Sequence, residues 1–487
     1  MRVLLVSHDF LPAHPAGTEI YTYQVGRALK ERGHEVHVFT TEKDIGRKNL
    51  SVEVREYGGL PVHELFNNLY YNSFDETWDY PAAARSFGVL LDDLRPDVVH
   101  FMHLLYLSVA CVEEVKRRGI PVLYTLHDYW LQCARFGQRR YIDGSICHEI
   151  DFERCGNCLA DFKYKQTRAQ RAAGKAIAAL RSATGVDLGG TARGLQRGLA
   201  ERVQRGAHAI SGTSDGPTDP AAAAEMARAV ARRDAALRER ILPAVDQFIA
   251  PSRFLRDRFL EWGIPPEQIV HMRTGISLRA FDGFERVPGN GKRISFIGTL
   301  VPHKGAHVLL RAWGALTDDQ KEGAVLRVWG PPSHNPAYVA RLRELAVEVG
   351  AEMEGELRRD EVPGALAETD LLVVPSIWYE NSPLIILEAL ASRTPLAVSD
   401  FGGMAELVEP GRTGFHFNMG DEADLARLLG EVLADRGTLD ALYGEDVGVR
   451  RASDDAEALE GTYRDLVRAR VARDLDEAPG DPAGQAP

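Results

Sequence analysis

The run Leu371-Leu372-Val373-Val374 is apolar at every position, so a strand formed there has no polar face to turn to water. Such a strand must lie in a parallel sheet covered by helices on both sides. After it come Pro375-Ser376-Ile377-Trp378-Tyr379-Glu380-Asn381-Ser382 and then residues 383–391, which read as a helix with Pro383 first and Ser382 as its cap. In this strand-loop-helix unit the free N–H groups after Pro383 would point into the loop and form an anion site. Glu380 in the loop and Glu388 in the second helical turn bracket that site. A nucleotide sugar with its phosphates on the helix start fits this layout. Read alone, Glu388 is equally an ordinary helix glutamate and Glu380 an exposed acid near a positive helix end.

The same alternation runs along the chain. Strands are expected at 2–7, 36–39, 96–101, 121–126, 245–250, 293–298, 325–330, 395–398 and 414–417, with helices at 18–32, 82–95, 105–118 and after Pro251-Ser252. With 487 residues the chain is too long for one ordinary core. The alternation in two halves predicts an α/β fold of two doubly wound, Rossmann-like domains, over 1–275 and 276–455, followed at 456–487 by a helix and a disordered tail. Strand ends in such folds face the ligand, which places His100, His103, His127 and Asp128 on the cleft side, although a strand-end histidine is often only a hydrogen-bonded structural group. The loop 299–305 precedes a helix and brings the amine of Lys304 to its start, where a diphosphate would bind.

Net charge and cysteines narrow the partners. A net charge of −12 argues against general nucleic-acid binding. The apolar run at 1–7 is too short for a signal peptide or a membrane span, which predicts a cytoplasmic protein, at most peripheral to the inner face of the membrane. Residues 161–240 are rich in alanine and arginine and are expected to be insert helices rather than core. Ten basic residues there, from Lys163 to Arg205, stand against three acidic ones, and Leu195, Leu199 and Val203 form a narrow apolar seam. Contact with an anionic membrane or acceptor is one reading; a solvated helical decoration is the other. Cys133, Cys147, Cys155 and Cys158 form a module over 133–158 whose CxxC pair and two earlier thiols suit one structural, tetrahedral zinc ion. Disulfides are the weaker explanation in a cytosolic chain, and unliganded loop thiols are the plain alternative.

The spacing Glu380-x7-Glu388, with Pro375-Ser376 before it and Glu388-Ala389-Leu390-Ala391 closing it, resembles the donor-site signature of the family 4 retaining glycosyltransferases. The likeness extends to Ala16-Gly17-Thr18-Glu19 with Gly33-His34-Glu35-Val36, to His127-Asp128, to the 299–305 loop, to Glu354-Gly355-Glu356-Leu357 and to Gly402-Gly403. A subset of that family carries a similar cysteine module after the His-Asp pair. The resemblance implies the GT-B arrangement, with the donor held mainly by the second domain and the acceptor by the first. It implies transfer of a sugar from a nucleotide-sugar donor to a glycan or lipid-linked acceptor hydroxyl, with retention, in polysaccharide or glycoconjugate assembly. Glu388 would hold the ribose and Glu380 the donor sugar, with His127 reaching that sugar from the other domain. Lys304 would stabilise the leaving diphosphate without any divalent metal. Gly17, Thr299, Glu356, Leu357, Ser382, Pro383, Leu384, Gly402 and Gly403 would complete the donor site. The sequence departs from the family pattern at Ala16, at Thr299, where an arginine is usual, and at Pro331-Pro332. A nucleotide-sugar epimerase of similar architecture and a catalytically silent nucleotide-sugar-binding protein are the alternatives.

Overall fold

The computed structural model describes residues 1–160, 162, 164–184, 219–287, 289–331, 335–442 and 448–476. Two sheets organise it. The first contains β1 (Arg2–Val6), β2 (Glu35–Glu42), β3 (Val52–Tyr57), β4 (Leu60–Phe66), β5 (Val98–Phe101), β6 (Val122–Thr125), β7 (Gln247–Ala250) and β8 (Ile269–His271), in the order β3-β4-β2-β1-β5-β6-β7-β8. The second contains β9 (Arg293–Ile297), β10 (Val325–Trp329), β11 (Glu352–Gly355), β12 (Leu371–Val374), β13 (Leu396–Ser399) and β14 (Gly414–Phe417), in the order β11-β10-β9-β12-β13-β14. Every neighbouring pair is parallel except β3 with β4. The expected strands β5, β6, β12 and β13 are buried at every position, as strands covered on both faces must be. Strand order reverses beside β1 and beside β9, so the loops after these two strands open at the crevices where such sheets bind ligands.

Several elements differ from the sequence expectation. The β3–β4 hairpin and β8 were not anticipated. Helix Pro220–Ile241, expected as part of an insert outside the core, buries Val230, Leu237, Ile241 and even Arg233 in the first domain. It crosses helix Phe152–Leu159 so closely that a Cβ on Gly156 would lie 2.3 Å from the Ala223 carbonyl oxygen. Small alanines hid that packing from a reading that looked for large apolar residues. The last helix, Ala452–Asp476, is no appendage: Ala456, Leu459 and Tyr463 join the core formed by β1, β2 and helix Gly17–Glu31. The chain crosses back where the Gly275 N–H donates to Asp455 Oδ2 at 2.7 Å and Ile276 pairs with Arg451. The apolar seam at 195–203 and the tail beyond 476 lie outside the described residues.

Candidate active site

A cleft of about 1240 Å³ opens between the two domains, and all the expected donor and catalytic residues except Gly402 and Gly403 line it. On the second-domain wall, the loop after β9 turns at Gly305 (φ +74°), where a Cβ would collide with the Pro375 carbonyl oxygen at 1.8 Å. That close approach sets Lys304 against the loop after β12. Lys304 Nζ donates to Glu380 Oε1 at 2.5 Å, and Ser376 Oγ donates to the same oxygen at 2.8 Å. Burial alone would raise the Glu380 carboxyl, but the Lys304 charge and these hydrogen bonds hold it below the usual carboxylate range. Glu388, 2% exposed, is ion-paired with Arg359, and its Oε2 has no partner.

Helix Leu384–Ala391 begins one residue later than expected. Pro383 is its N-cap and no side chain caps it, so Ser382 is not the cap. The Ser382 hydroxyl is instead buried without a partner. A proline at the cap supplies no side-chain acceptor, which leaves the first N–H groups of the helix unfilled by the protein. Thr299 lines the cleft where a cation was missing from the sequence pattern. His303 does not replace it, because burial and the neighbouring Lys304 push its imidazole down to about 4 and keep it neutral. Arg359, which sequence reasoning passed over, is the second cation of this wall. Its only signal was an Arg358-Arg359 pair after the Glu356-Leu357 loop.

Gly402 and Gly403 serve the protein rather than the cleft. Gly402 adopts φ +66°, and a Cβ on Gly403 would lie 2.1 Å from the Asn381 carbonyl oxygen. The Gly403 N–H donates to the Glu380 carbonyl at 2.8 Å. Glycine is needed there because the backbone of the Glu380 loop comes close. At Gly17 a Cβ would meet nothing within 4 Å, so the helix start beside the cleft is open.

The group 1 glycosyl transferase family description matches residues 280–445, and the glycosyltransferase family 4 description matches residues 15–150. Together they cover both walls of the cleft. The chain carries a glycosyltransferase family 4 region followed by a group 1 glycosyl transferase region. It is 34% identical over 183 residues to a D-inositol 3-phosphate glycosyltransferase of Nocardia farcinica, covering 36% of this chain and 40% of that protein. It is 29% identical over 209 residues to a glycogen synthase of Mycobacterium tuberculosis, covering 42% and 50%. The chain thus spans about half the length of the curated relatives it matches. The solved structure of HepE from Anabaena in complex with UDP and glucose matches with a TM-score of 0.54 at 16% identity, over 98% of this chain and 99% of that one, a likeness of fold.

On the first-domain wall one imidazole faces the cleft. His127 lines the cleft, with Nε2 unpartnered, and burial and His103 push it down to about 3. Asp128 also lines the cleft and accepts from His103 Nε2 at 3.0 Å, while His103 Nδ1 accepts from the Leu105 N–H at 2.9 Å. His100, expected on the cleft side, is fully buried between Tyr463 Oη and Thr125 Oγ1, both at 2.7 Å. It holds the last helix to the sheet.

Sequence reasoning also missed how the Glu380 loop is fastened to the first domain. Asn381 Nδ2 donates to the Leu126 and His127 carbonyls at 3.2 and 3.3 Å, and Ser252 Oγ donates to Asn381 Oδ1 at 2.7 Å. On the other side of Glu380, Tyr379 Oη shares a 2.8 Å hydrogen bond with His148 Nδ1, and its ring stacks on Phe401. His148 follows Cys147, so the cysteine module touches the Glu380 loop. Its four expected thiols are free and face one small cavity. That is a donor set suited to zinc, although the Arg135 guanidinium donates to Cys158 Sγ at 3.5 Å and the sulfurs are not drawn up to ligating distance.

Proposed function

We propose that the protein transfers a sugar from a nucleotide-sugar donor to an acceptor hydroxyl with retention of configuration. One observation carries the reading: the buried ion pair of Lys304 with Glu380 stands beside the buried Glu388 and an uncapped helix start. As the bond from the anomeric carbon to the diphosphate breaks, negative charge grows on the leaving oxygen. Lys304 and the free N–H groups of helix Leu384–Ala391 are suited to stabilise it, a contribution of about 2–4 kcal/mol for one such contact. That charge handling would need no divalent metal. Glu388 would accept hydrogen bonds from the ribose, Glu380 from the donor sugar, and His127 would bind that sugar from the opposite wall. Domain closure would exclude the water that otherwise hydrolyses the donor.

The acceptor in this reading is a glycan or a lipid-linked glycan, met in the cytoplasm at the inner face of the membrane. No helix among the described residues is long and apolar enough to cross a membrane. Peripheral contact is supported by exposed Arg168 and Lys175 on helix Arg168–Thr184, beside Leu180 at 44% exposure. Sedimentation with anionic vesicles at low salt, absent with neutral ones, is expected. Cys133, Cys147, Cys155 and Cys158 would hold one structural zinc ion, and metal analysis of protein prepared without added metal checks it. For the reaction, the protein is incubated with UDP-glucose and a panel of other nucleotide sugars, with and without glycan acceptors. Nucleotide release that requires acceptor and gives a product of unchanged anomeric configuration is expected. Altered sugar without acceptor would indicate an epimerase, and nucleotide binding without turnover a silent binder.

A further inference from the structure

Behind the first-domain wall, His8 and Asp9 follow β1, and Glu19 is the third residue of helix Gly17–Glu31. Among the described residues these three are the one set of potential metal ligands whose donor atoms all lie within 4.8 Å of one another. His8 Nε2 stands 3.5 Å from Glu19 Oε1 and 3.7 Å from Asp9 Oδ2. No hydrogen bond joins any of the three to another. Donors bound at about 2.0–2.2 Å to a common ion stand roughly 3–3.6 Å apart in tetrahedral or octahedral geometry, close to the spacing seen here.

Two further observations point to a missing cation. Glu19 is 1% exposed, yet its Oε2 has no partner. Among the described residues no lysine or arginine forms an ion pair with Asp9 or Glu19; the titratable groups around them are His8, His14, His103 and Glu42. A buried Glu19 beside the half-buried Asp9 needs a counter-charge when both are ionised. The His8 imidazole is held in place to receive an ion as well. Its ring lies 4.3 Å from that of His103, which is fixed by Asp128 and the Leu105 N–H. His14 Nε2, 3.9 Å from Asp9 Oδ1 and 3.2 Å from Glu42 Oε2, supplies an outer support.

We infer that His8, Asp9 and Glu19 bind one divalent transition-metal ion, separate from the donor site and from the cysteine module. An imidazole with two carboxylates suits Mn²⁺ or Zn²⁺ better than Mg²⁺ or Ca²⁺. The ligands come from the two ends of the 10–18 loop, whose Leu11, Pro12, Pro15 and Ala16 line the cleft. The ion therefore staples the base of that loop and holds the acceptor-side wall.

The test is metal binding by the full chain after chelator treatment and dialysis against MnCl2 or CoCl2, in a Cys155→Ser/Cys158→Ser background that disables the cysteine module. One equivalent of metal is expected, with Co²⁺ spectra lacking thiolate charge-transfer bands and a rise in melting temperature on adding Mn²⁺. Glu19→Gln, nearly isosteric, should lower the affinity more than about 100-fold, beyond the 10–100-fold typical of an outer partner, and remove the Mn²⁺ effect on melting. Affinity equal in the Glu19→Gln protein, or no metal bound by the background protein, overturns the site. If Glu19→Gln fails to fold, stoichiometry and spectra of the background protein decide alone, and none of these readouts depends on glycosyl transfer.

Discussion

On the donor wall each buried carboxylate has a cation: Glu380 has Lys304, and Glu388 has Arg359. On the acceptor wall the imidazole of His127 faces the cleft and is driven toward the neutral form by burial, and behind that wall Asp9 and Glu19 face imidazoles rather than lysine or arginine. The difference follows from what each wall would meet. A diphosphate brings negative charge, so the donor wall needs fixed cations, and in the empty cleft its own acids keep those cations in place. A sugar hydroxyl brings no charge, and neutral imidazoles can donate or accept to it without the desolvation cost of an ion.

Removing a donor-wall cation should therefore have the largest effect. Lys304→Ala loses the leaving-group contact and leaves Glu380 buried without its cation, and turnover should fall by the equivalent of about 2–4 kcal/mol. Lys304→Arg should recover part of it. Single-turnover rates measure this, and an unchanged rate would remove Lys304 from the chemistry and erase the contrast between the walls.

Next in size are the two acids. Glu388→Gln should weaken UDP binding by about 1.5–3 kcal/mol, the usual worth of hydrogen bonds to a charged group, with turnover at saturation little changed. Glu380→Gln should do the reverse, since the nucleotide is held throughout while bonding changes at the sugar. Calorimetry with UDP beside saturated rates separates them. Equal, mild effects from both would break the division of roles.

How far these roles could be read from sequence depends on the kind of contact. Leu371–Val374 was legible because a strand buried on both faces can be apolar at every position, and Val122–Thr125 because apolar residues dominate it. Glu380, Glu388 and Lys304 were legible because short spacings tie them to a loop and a helix start. Arg359 on Glu388, Asn381 on the His127 carbonyl and His148 on Tyr379 were not. Their partners come from other elements, in two cases from the other domain, and such pairings leave no spacing pattern. Gly402 and Gly403 show a related ambiguity: a glycine demanded by a nearby backbone looks in sequence like one demanded by a ligand. The alanine-rich Pro220–Ile241 helix hid its burial because close helix packing uses small residues.

The neutral imidazoles of the first domain give a smaller effect with a defined sign. His100 has a folded pKa of about 3 against an unfolded value near 6.5. The unfolded state therefore binds the extra proton first as pH falls. Stability is full above about 6.5 and is lost progressively down to about 3. In His100→Gln, which cannot titrate, the loss on going from pH 7.5 to pH 5.5 should be smaller than in the parent by about 1.4 kcal/mol. Urea unfolding at the two pH values measures the difference. Equal losses would mean that this imidazole is protonated in the fold and that the acceptor-side domain tolerates charge as the donor wall does.

The smallest effect tests whether the two walls are coupled. Tyr379 Oη and His148 Nδ1 form a hydrogen bond between the Glu380 loop of one domain and the cysteine module of the other, 231 positions apart. Tyr379 is 3% exposed and stacked on Phe401, so Tyr379→Phe keeps the packing and removes only the hydroxyl. A neutral hydrogen bond of this kind is worth about 0.5–1.5 kcal/mol. If the bond positions Glu380, that amount should appear in turnover, with UDP affinity unchanged because Glu388 and Lys304 are untouched. His148→Ala should lower turnover equally, and the double variant should cost no more than either single one. Additive losses, or losses found in melting temperature and not in rate, would show that the module packs against the loop without placing Glu380, and the acceptor-side domain would then have no say in the geometry of the donor wall.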